Sequence, residues 1–280
     1  MAVGSRSKPS CNAAGEASLS TGPNAAPAPP QPDGYPDRPG HSRQDDYHPL
    51  LDSLKRGSRV LGAPILGKIG SIVRCPASVL HVAITFDDGP DPVSTVEIMR
   101  ELDKSDTKAT FFVLADRANA HPEVLTELVE HGHEIGVHGL NHDRLTTLGR
   151  REVGRRLREA RDIVEGLTGQ QMKLFRPPYG AQNVSTVRSV MRLGMEPVLW
   201  DVDPHDWEDQ PLDSAVDAVV RSVASGSIVL LHDHVSIAQF TRTEFTRQLV
   251  DGLQSRGLTP TTVGRLLLDG PPHRAVWRVR

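Results

Sequence analysis

Two adjacent carboxylates and two histidines four residues apart are the residues whose types and spacing best suit metal binding in this sequence. Asp87 and Asp88 stand side by side, and His138 and His142 share one short motif. Both imidazoles lie on one face if that motif forms a helical turn. A catalytic zinc usually takes three protein ligands and keeps a fourth position for water. The sequence therefore predicts a metal site of Asp88, His138 and His142, with Asp87 directed towards a bound water because alternating side chains point in different directions.

Each of the two motifs has a simpler interpretation when taken alone. An Asp-Asp-Gly-Pro string is typical of a turn with solvated carboxylates, and two spaced histidines can lie on a protein surface. The metal interpretation is favoured because the two motifs occur together, and each follows an apolar run.

Short apolar runs alternate with longer amphipathic segments from residue 79 onward. The runs are rich in β-branched or aromatic residues and predict buried parallel strands over 79–86, 109–114, 133–138, 196–202 and 227–232. Helical spacing of apolar residues predicts helices over 93–104, 122–130, 150–167, 184–193, 214–224 and 243–256. An alternation of roughly six or seven βα units indicates an α/β fold, and a parallel (β/α) barrel more than an open sheet.

Ionisable side chains follow four of the predicted strands. They are Asp87 with Asp88 after the first strand, His138 after the third, Asp203 after the fourth and His232 after the fifth. In parallel α/β folds the catalytic groups gather at the carboxyl ends of the strands. We therefore expect these residues to converge on one site.

Composition divides the chain into a tail, a lead-in segment and one catalytic domain. Residues 1–50 hold nine of the 22 prolines and no Phe or Trp, so they cannot bury enough apolar surface to offset the entropy of ordering. We predict a disordered low-complexity tail over 1–55, a lead-in segment over 56–78, the catalytic domain over 79–270 and a C-terminal tail over 271–280.

The charge balance gives no reason to expect a polyanionic partner. The 32 basic and 35 acidic residues give a formal net charge of −3, which argues against binding to nucleic acid or to an anionic membrane surface. The two cysteines, Cys11 and Cys75, predict neither a disulfide framework nor a cysteine metal site. The sequence does not indicate the oligomeric state.

No segment near the N-terminus has the apolar run of a secretory signal. The nearest candidate, residues 60–73, lies far inside the chain and contains Pro64 and Lys68, which interrupt both a signal core and a membrane span. We therefore expect no cleaved signal peptide and no transmembrane helix, which favours the cytoplasm. A true translation start near Leu54 would make export an open alternative.

Five motifs in a fixed order carry a resemblance to a known family. They are TFDDGP at 85–90, HGLNH at 138–142, RPPYG at 176–180, DPHDW at 203–207 and LLH at 230–232. With them the chain resembles the polysaccharide deacetylase family, the carbohydrate esterase group that includes chitin, peptidoglycan and chitooligosaccharide deacetylases, from about Leu80 to about Leu268. The resemblance implies a distorted parallel (β/α) barrel of about seven units. It also implies metal-assisted removal of N-acetyl groups from N-acetylglucosamine-type residues of a glycan or oligosaccharide.

The resemblance assigns roles around the metal. Asp88, His138 and His142 correspond to the metal ligands, and the expected metal is zinc, with cobalt and manganese as alternatives. Asp87 corresponds to the general base, which removes a proton from the attacking water. Arg176 corresponds to the residue that orients Asp87.

The same resemblance assigns the acid and the substrate pocket. His232 corresponds to the general acid that protonates the leaving amine, and Asp203 is expected to hold its imidazole in the charged form. The backbone N–H of Tyr179 is expected to contact the developing oxyanion. Trp207 and Leu230 are expected to wall the pocket that takes the acetyl methyl group.

Some positions next to the motifs modify this picture. Many family members carry Ser or Thr after the first histidine of the second motif, where this chain has Gly139, so a hydroxyl that could steady the metal loop is absent. Asp233 and His234 are expected to point away from the site. His205 is equally compatible with substrate contact and with a solvated loop.

Two other functions are compatible with parts of the pattern. The same barrel and metal could act on a small cyclic amide, a small acetylated metabolite or an O-acetyl ester. A glycan-binding module without activity would lack at least one ligand, base or acid, and none of these is missing. Polymer type and chain length are not encoded in the motifs, although the low aromatic content favours a short substrate.

Overall fold

A seven-stranded parallel sheet forms a half-barrel that is covered by helices. The structure is a computed structural model and describes residues 70–76, 80–234 and 241–275. The predicted tail over 1–55 and most of the predicted lead-in segment lie outside the described residues.

The strands are short, and four of the nine, β2, β4, β5 and β7, end at one of the five motifs. Their bounds are β1 Ser71–Arg74, β2 His81–Asp87, β3 Thr110–Val113, β4 Glu134–Val137, β5 Leu174–Phe175, β6 Glu196–Pro197, β7 Ile228–His232, β8 Thr259–Thr261 and β9 His273–Ala275. The sheet has the order β6-β5-β4-β3-β2-β7, and β8 pairs with the start of β2. Val202, beyond β6, bridges to Val229 on β7 in parallel, which links the two edges of the sheet. The predicted α/β fold with a distorted parallel barrel is thus confirmed.

Eight α-helices are present in the described part of the chain. Their bounds are α1 Ser94–Lys104, α2 Ala115–Ala120, α3 Pro122–Glu130, α4 Arg150–Thr168, α5 Val184–Arg192, α6 Leu212–Ser222, α7 Arg242–Ser255 and α8 Val263–Leu267. Six of them agree within two residues with the predicted helices, whereas α2 and α8 are too short to give a periodic signal. None of the helices in the described ranges combines the length and apolar composition needed to cross a bilayer.

Alternation along the strands separates an outer from an inner apolar layer. On β2, Val82, Ile84 and Phe86 pack with apolar residues of the helices. Ala83 points the other way and packs with residues of the neighbouring strands inside the half-barrel. Asp87 shares the side of Ala83 because side chains alternate with a period of two. The last inward position of β2 is therefore occupied by a carboxylate above an apolar floor.

The sequence patterns did not predict β1, β5, β8 and β9. Each has two to four residues, which is too short to produce a recognisable alternation. β1 and β9 pair with each other in antiparallel fashion, so parts of the predicted lead-in segment and C-terminal tail form a second, two-stranded sheet. The strand predicted over 196–202 is reduced to β6, because the chain beyond it makes only single bridges, at Val198 to β1 and at Val202 to β7.

Candidate active site

Asp88, His138 and His142 lie together at the carboxyl ends of the strands. Each offers one ligand atom, all three side chains are buried, and the three atoms lie within 4.8 Å of one another. Asp88 Oδ1 is 3.2 Å from His142 Nε2 and 3.4 Å from His138 Nε2. One carboxylate and two imidazoles converging in this way form a donor set suited to zinc and similar divalent metals.

The tautomer of His138 is consistent with a metal ligand. Its Nδ1 lies 2.9 Å from the backbone carbonyl oxygen of Arg176, to which it can only donate. With the proton on Nδ1, the lone pair of Nε2 faces Asp88. The residues present therefore fit a divalent cation, and the outer hydrogen bond that orients a ligating histidine is already formed.

The carboxyl group of Asp88 is held in its charged form. Burial raises its pKa, but the nearby imidazoles of His138 and His142 outweigh burial, so the net pKa lies far below its usual range. An ionised carboxylate is the form that binds a cation.

Left-handed backbone conformations bring these residues together. Asp88 has φ 80°, so it leaves the strand geometry and turns towards the same space as Asp87. The stretch from His138 to His142 does not form the helical turn that its spacing predicts. Its two rings, with centroids 5.2 Å apart, meet because Gly139 (φ 112°) and His142 (φ 61°) reverse the chain locally. Non-glycine residues at positive φ cost energy and are concentrated at functional sites.

The glycine that departs from the family pattern has a backbone reason. At φ 112°, position 139 disfavours any residue with a β-carbon. The loop is fixed by its backbone instead of a hydroxyl, because the carbonyls of Gly139 and Leu140 accept hydrogen bonds from Ala115 and Asp116 at the start of α2, each of 3.0 Å.

Asp87 is fixed by the fully buried Arg176. Arg176 Nη1 donates to Asp87 Oδ1 and to Thr85 Oγ1, each at 2.7 Å, and Nη2 donates to the Leu199 carbonyl at 3.1 Å. The other Asp87 oxygen, Oδ2, lies 3.8 Å from His138 Nε2. One oxygen is thus tied to the arginine, while the other faces the cluster of candidate metal ligands.

Asp206, and not Asp203, holds His232. Asp206 Oδ1 lies 2.7 Å from His232 Nδ1, and Asp206 Oδ2 accepts the backbone N–H of His232 at 2.9 Å. The prediction that Asp203 has this role is wrong, because the Asp203 carboxylate accepts the backbone N–H of His205 at 3.0 Å within a tight turn. His205 has φ 55° in that turn, and the turn carries the second aspartate of the motif to the end of β7.

The imidazole of His232 carries a proton at neutral pH. Burial lowers its pKa, but the Asp206 carboxylate outweighs burial through its charge and hydrogen bond, and Asp88 and Asp87 add to the effect. Together these groups raise the pKa of His232 to about 9. Burial raises the pKa of Asp206 itself, but His232 and Arg242 outweigh burial and lower it.

Arg242 is a buried residue of this site that the sequence analysis missed. It begins α7, and its Nη1 and Nη2 donate to Asp206 Oδ2 and to the Asp206 carbonyl at 2.9 and 2.8 Å. An arginine at the start of an amphipathic helix gives no signal in the sequence. Asp206 could have been considered, since it stands in the same motif as Asp203.

Asp233 and His234 do not enter the metal cluster, but they hold the loop behind it. The buried Asp233 accepts a hydrogen bond from Thr95 Oγ1 at 2.6 Å, and His234 Nδ1 lies 3.0 Å from Asp91 Oδ2. A β-carbon added at Gly89 would stand 2.0 Å from Asp233 Oδ2. The residue after Asp88 must therefore be a glycine if Asp233 is to stay in place.

The three residues expected to line the substrate pocket differ in exposure. The Tyr179 ring is 39% exposed, and its centroid lies 4.4 Å from that of His142. Trp207 is half-buried and stacks on His205, with centroids 5.4 Å apart. Leu230 is buried in the inner apolar layer, two residues before His232 on β7. Tyr179 and Trp207 thus keep part of their surface accessible, whereas Leu230 belongs to the inner apolar layer.

Known proteins with similar sequences are deacetylases of amino-sugar polymers. The sequence profile of the polysaccharide deacetylase family matches residues 76–198. The chain is 37% identical to the peptidoglycan-N-acetylmuramic acid deacetylase PdaC of Bacillus subtilis over 66% of its own length, which is 38% of that relative. It is also 37% identical to a chitooligosaccharide deacetylase of Sinorhizobium fredii, over 60% of this chain and 79% of the relative. The chain thus spans little more than a third of PdaC but most of the chitooligosaccharide deacetylase.

Similar solved structures include an enzyme that has lost activity. A pseudoenzyme of carbohydrate esterase family 4 from Bacillus anthracis superposes with a TM-score of 0.66 at 26% identity, covering 70% of this chain and 68% of that one. The solved structure of PdaC superposes with a TM-score of 0.62 at 35% identity, covering 68% of this chain and 90% of that one. The shared fold therefore hosts both active and inactive proteins, and the residues of the site must carry the functional argument.

Proposed function

Because the chain belongs to the polysaccharide deacetylase family, we propose that it is a metal-dependent hydrolase that removes N-acetyl groups from N-acetylglucosamine-type residues of a glycan or oligosaccharide. The observation that carries the proposal is the convergence of Asp88, His138 and His142, with the Asp87 carboxylate beside them. A glycan-binding protein without activity has no need for a buried carboxylate next to a metal site.

The metal would be held by Asp88, His138 and His142. Zinc is the expected ion, and cobalt and manganese bind similar donor sets. When bound, a divalent cation acts as a Lewis acid towards the acetyl carbonyl and acidifies water.

Asp87 is proposed to act as the general base. Its Oδ1 is fixed by Arg176, so Oδ2 is presented in one direction, towards the space next to His138. In that position it can take a proton from the water that attacks the acetyl carbon. The water oxygen then forms the new bond to that carbon, and the carbonyl electron pair moves to oxygen. The backbone N–H of Tyr179 is proposed to donate to this oxygen.

His232 is proposed to act as the general acid. Its Nδ1–H donates to Asp206, so the proton on Nε2 is the one available for transfer to the sugar nitrogen. As the carbon–nitrogen bond breaks, the nitrogen takes this proton and leaves as an amine, and acetate is the second product. Trp207 above and Leu230 below are proposed to confine the acetyl methyl group, and Asp203 is proposed to shape the turn that carries Asp206 and Trp207.

An acetate-release assay tests the proposed function. We expect zinc-loaded protein to release acetate from acetylated chitooligosaccharides, peptidoglycan or monomeric N-acetyl sugars. The relatives' names include both chitooligosaccharide and muramic acid substrates, so all three substrate classes are needed. Asp87→Asn should reduce turnover by about 1000-fold or more, since it removes the base and leaves the shape.

The matched control is Asp217→Asn, the same change at an exposed residue of α6 that pairs with Arg221. It should keep full turnover. Acetate release by Asp87→Asn at the rate of the unmodified protein would refute the assignment of the base. Absence of turnover on every acetylated sugar, together with retained glycan binding, would favour the binding module instead.

A further inference from the structure

Arg242 forms the outer end of a buried chain of three charged groups that leads to His232. Its side chain is 7% exposed, that of Asp206 is fully buried and that of His232 is 8% exposed. Charged residues are rarely buried unless they are paired. The guanidinium of Arg242 donates two hydrogen bonds to Asp206, so an effect of the arginine on the proposed reaction can pass through that residue.

The hydrogen bonds leave Asp206 a single orientation. Oδ1 accepts from His232 Nδ1, whereas Oδ2 accepts from both the His232 backbone N–H and Arg242 Nη1. Arg242 Nη2 reaches the carbonyl oxygen of the same aspartate. The planar guanidinium therefore holds both the side chain and the main chain of one residue, which a lysine ammonium cannot do with the same fixed geometry.

The backbone around Asp206 explains why such support is needed. The residue lies in a turn with few regular backbone hydrogen bonds, next to His205 in the left-handed conformation. Rotation of the carboxylate would release His232 Nδ1 and permit the imidazole to turn. A second buried arginine, Arg176, likewise donates to a carboxylate of the site, that of Asp87.

We propose that Arg242 is a positioning residue for the protonation of the leaving amine: it holds the Asp206 carboxylate in the one orientation that directs His232 Nε2 towards the substrate. This role rests on the proposed function, since it assumes that His232 is the general acid. Arg242 does not contact the reacting atoms.

Kinetics of two Arg242 variants test the proposal. Zinc-loaded protein is assayed on fully acetylated chitotetraose, and kcat and KM are measured separately. Arg242→Gln should lower kcat by about 10- to 100-fold and leave KM within about twofold, as for other residues that orient a catalytic group. Arg242→Lys should recover part of kcat, because it keeps the charge without the fork. The matched control is Arg247→Gln, an exposed arginine of the same helix, which should behave like the unmodified protein.

A double variant separates positioning from a general contribution to the fold. If Arg242 acts through Asp206, then adding Arg242→Gln to Asp206→Asn should lower kcat no further than about twofold. Multiplicative losses in the double variant would overturn the proposal. So would a kcat of Arg242→Gln within twofold of the unmodified protein.

A spectroscopic measurement keeps this inference distinguishable from the proposed function. In protein labelled with ¹⁵N-histidine, the Nδ1–H of His232, assigned by its loss in His232→Gln, should give a protected proton signal. The signal should broaden or disappear in Arg242→Gln and stay in Arg247→Gln. If the unmodified protein releases no acetate but the signal behaves in this way, the proposed function fails, and what stands is that Arg242 holds the hydrogen bond between Asp206 and His232. An unchanged signal in Arg242→Gln would overturn the positioning role even in an active enzyme.

Discussion

Asp87 and His232 are register partners on adjacent strands, β2 and β7. The proposed base and acid therefore come from one pair of neighbouring backbone segments, and each is fixed by a different buried partner. Arg176 holds one oxygen of Asp87, whereas Asp206 holds Nδ1 of His232. The proposed base and the proposed acid are thus close together, and each is oriented by its own buried partner.

The alkaline side of the pH profile should report the pairing of His232 with Asp206. The proposed acid is active when protonated, so kcat should fall as the pH rises through about 9, the raised pKa of His232. The charged groups that face this imidazole are Asp206 from the 203–207 turn and Asp87 and Asp88 from the end of β2. In Asp206→Asn the pKa should drop, and the descending limb should move to lower pH by about 1–2 units.

The control for this prediction is Asp203→Asn, the same change at the other aspartate of the motif. It should leave the position of the limb unchanged, because Asp203 accepts from His205 and not from His232. A shift in Asp203→Asn with none in Asp206→Asn would contradict the assignment. The raised pKa of His232 also affects the stability of the fold. Protonated His232 stabilises the folded state fully below about pH 6.5, and this contribution is lost as the pH rises through about 9.

At the scale of elements, the loop after β2 positions the proposed metal ligand Asp88. Its residue Asp88 has a left-handed backbone, and the next residue, Gly89, packs against the Asp233 carboxyl at the end of β7. Ser94 and Thr95 at the start of α1 donate to the Asp233 carbonyl and carboxyl groups. Asp233, at the end of β7, thus contacts both ends of the loop that carries the proposed metal ligand.

Gly89→Ala should therefore weaken both the fold and the metal site. Its β-carbon would lie 2.0 Å from Asp233 Oδ2 and 2.6 Å from Cγ, so either Asp233 or the loop must move. We expect a loss of about 1–3 kcal/mol in the free energy of unfolding, measured with urea, as for other overpacked sites. Zinc content after dialysis should fall as well, because the displaced loop carries Asp88.

Gly154→Ala provides the matched control within α4, at a half-buried position where an added β-carbon meets no atom within 4 Å. In a helix interior this change should stabilise the fold by about 0.5–1 kcal/mol, with zinc content unchanged. An equal free energy of unfolding for Gly89→Ala and the unmodified protein would show that Asp233 can move without destabilising the fold.

For the whole molecule, the parallel architecture could be predicted from the sequence, whereas the pairing of single side chains could not. Apolar runs ending in ionisable residues predicted that Asp88, His138 and His232 meet, because parallel strands end on one side of the sheet. The choice between Asp203 and Asp206 depends on one left-handed residue in a turn, and turns have no periodicity. The role of Arg242 depends on where α7 packs, and β5 has only two residues to signal its presence.

Metal binding should stabilise the whole molecule, since the ligands come from two separate segments and assemble only in the folded state. At a zinc concentration about 100 times Kd, linkage predicts about 2.7 kcal/mol of stabilisation, which corresponds to a rise of roughly 5–10 °C in Tm. Scanning calorimetry with and without a chelator measures this rise. His142→Ala should abolish most of it, whereas replacement of the exposed His205 by Ala should preserve it. An equal rise in both variants would place the zinc elsewhere.

Arg176 contributes two separate groups to the site: its guanidinium contacts Asp87, and its main-chain oxygen accepts from His138. Engineering this protein for a different ion or a different pH range would therefore be limited by Arg176, which contacts both groups. A change in the backbone of Arg176 that rotates the ring of His138 would also move the carboxylate of Asp87. Ion preference and pH range would therefore change together. Libraries that vary positions around either group would succeed only when they sample both neighbourhoods together.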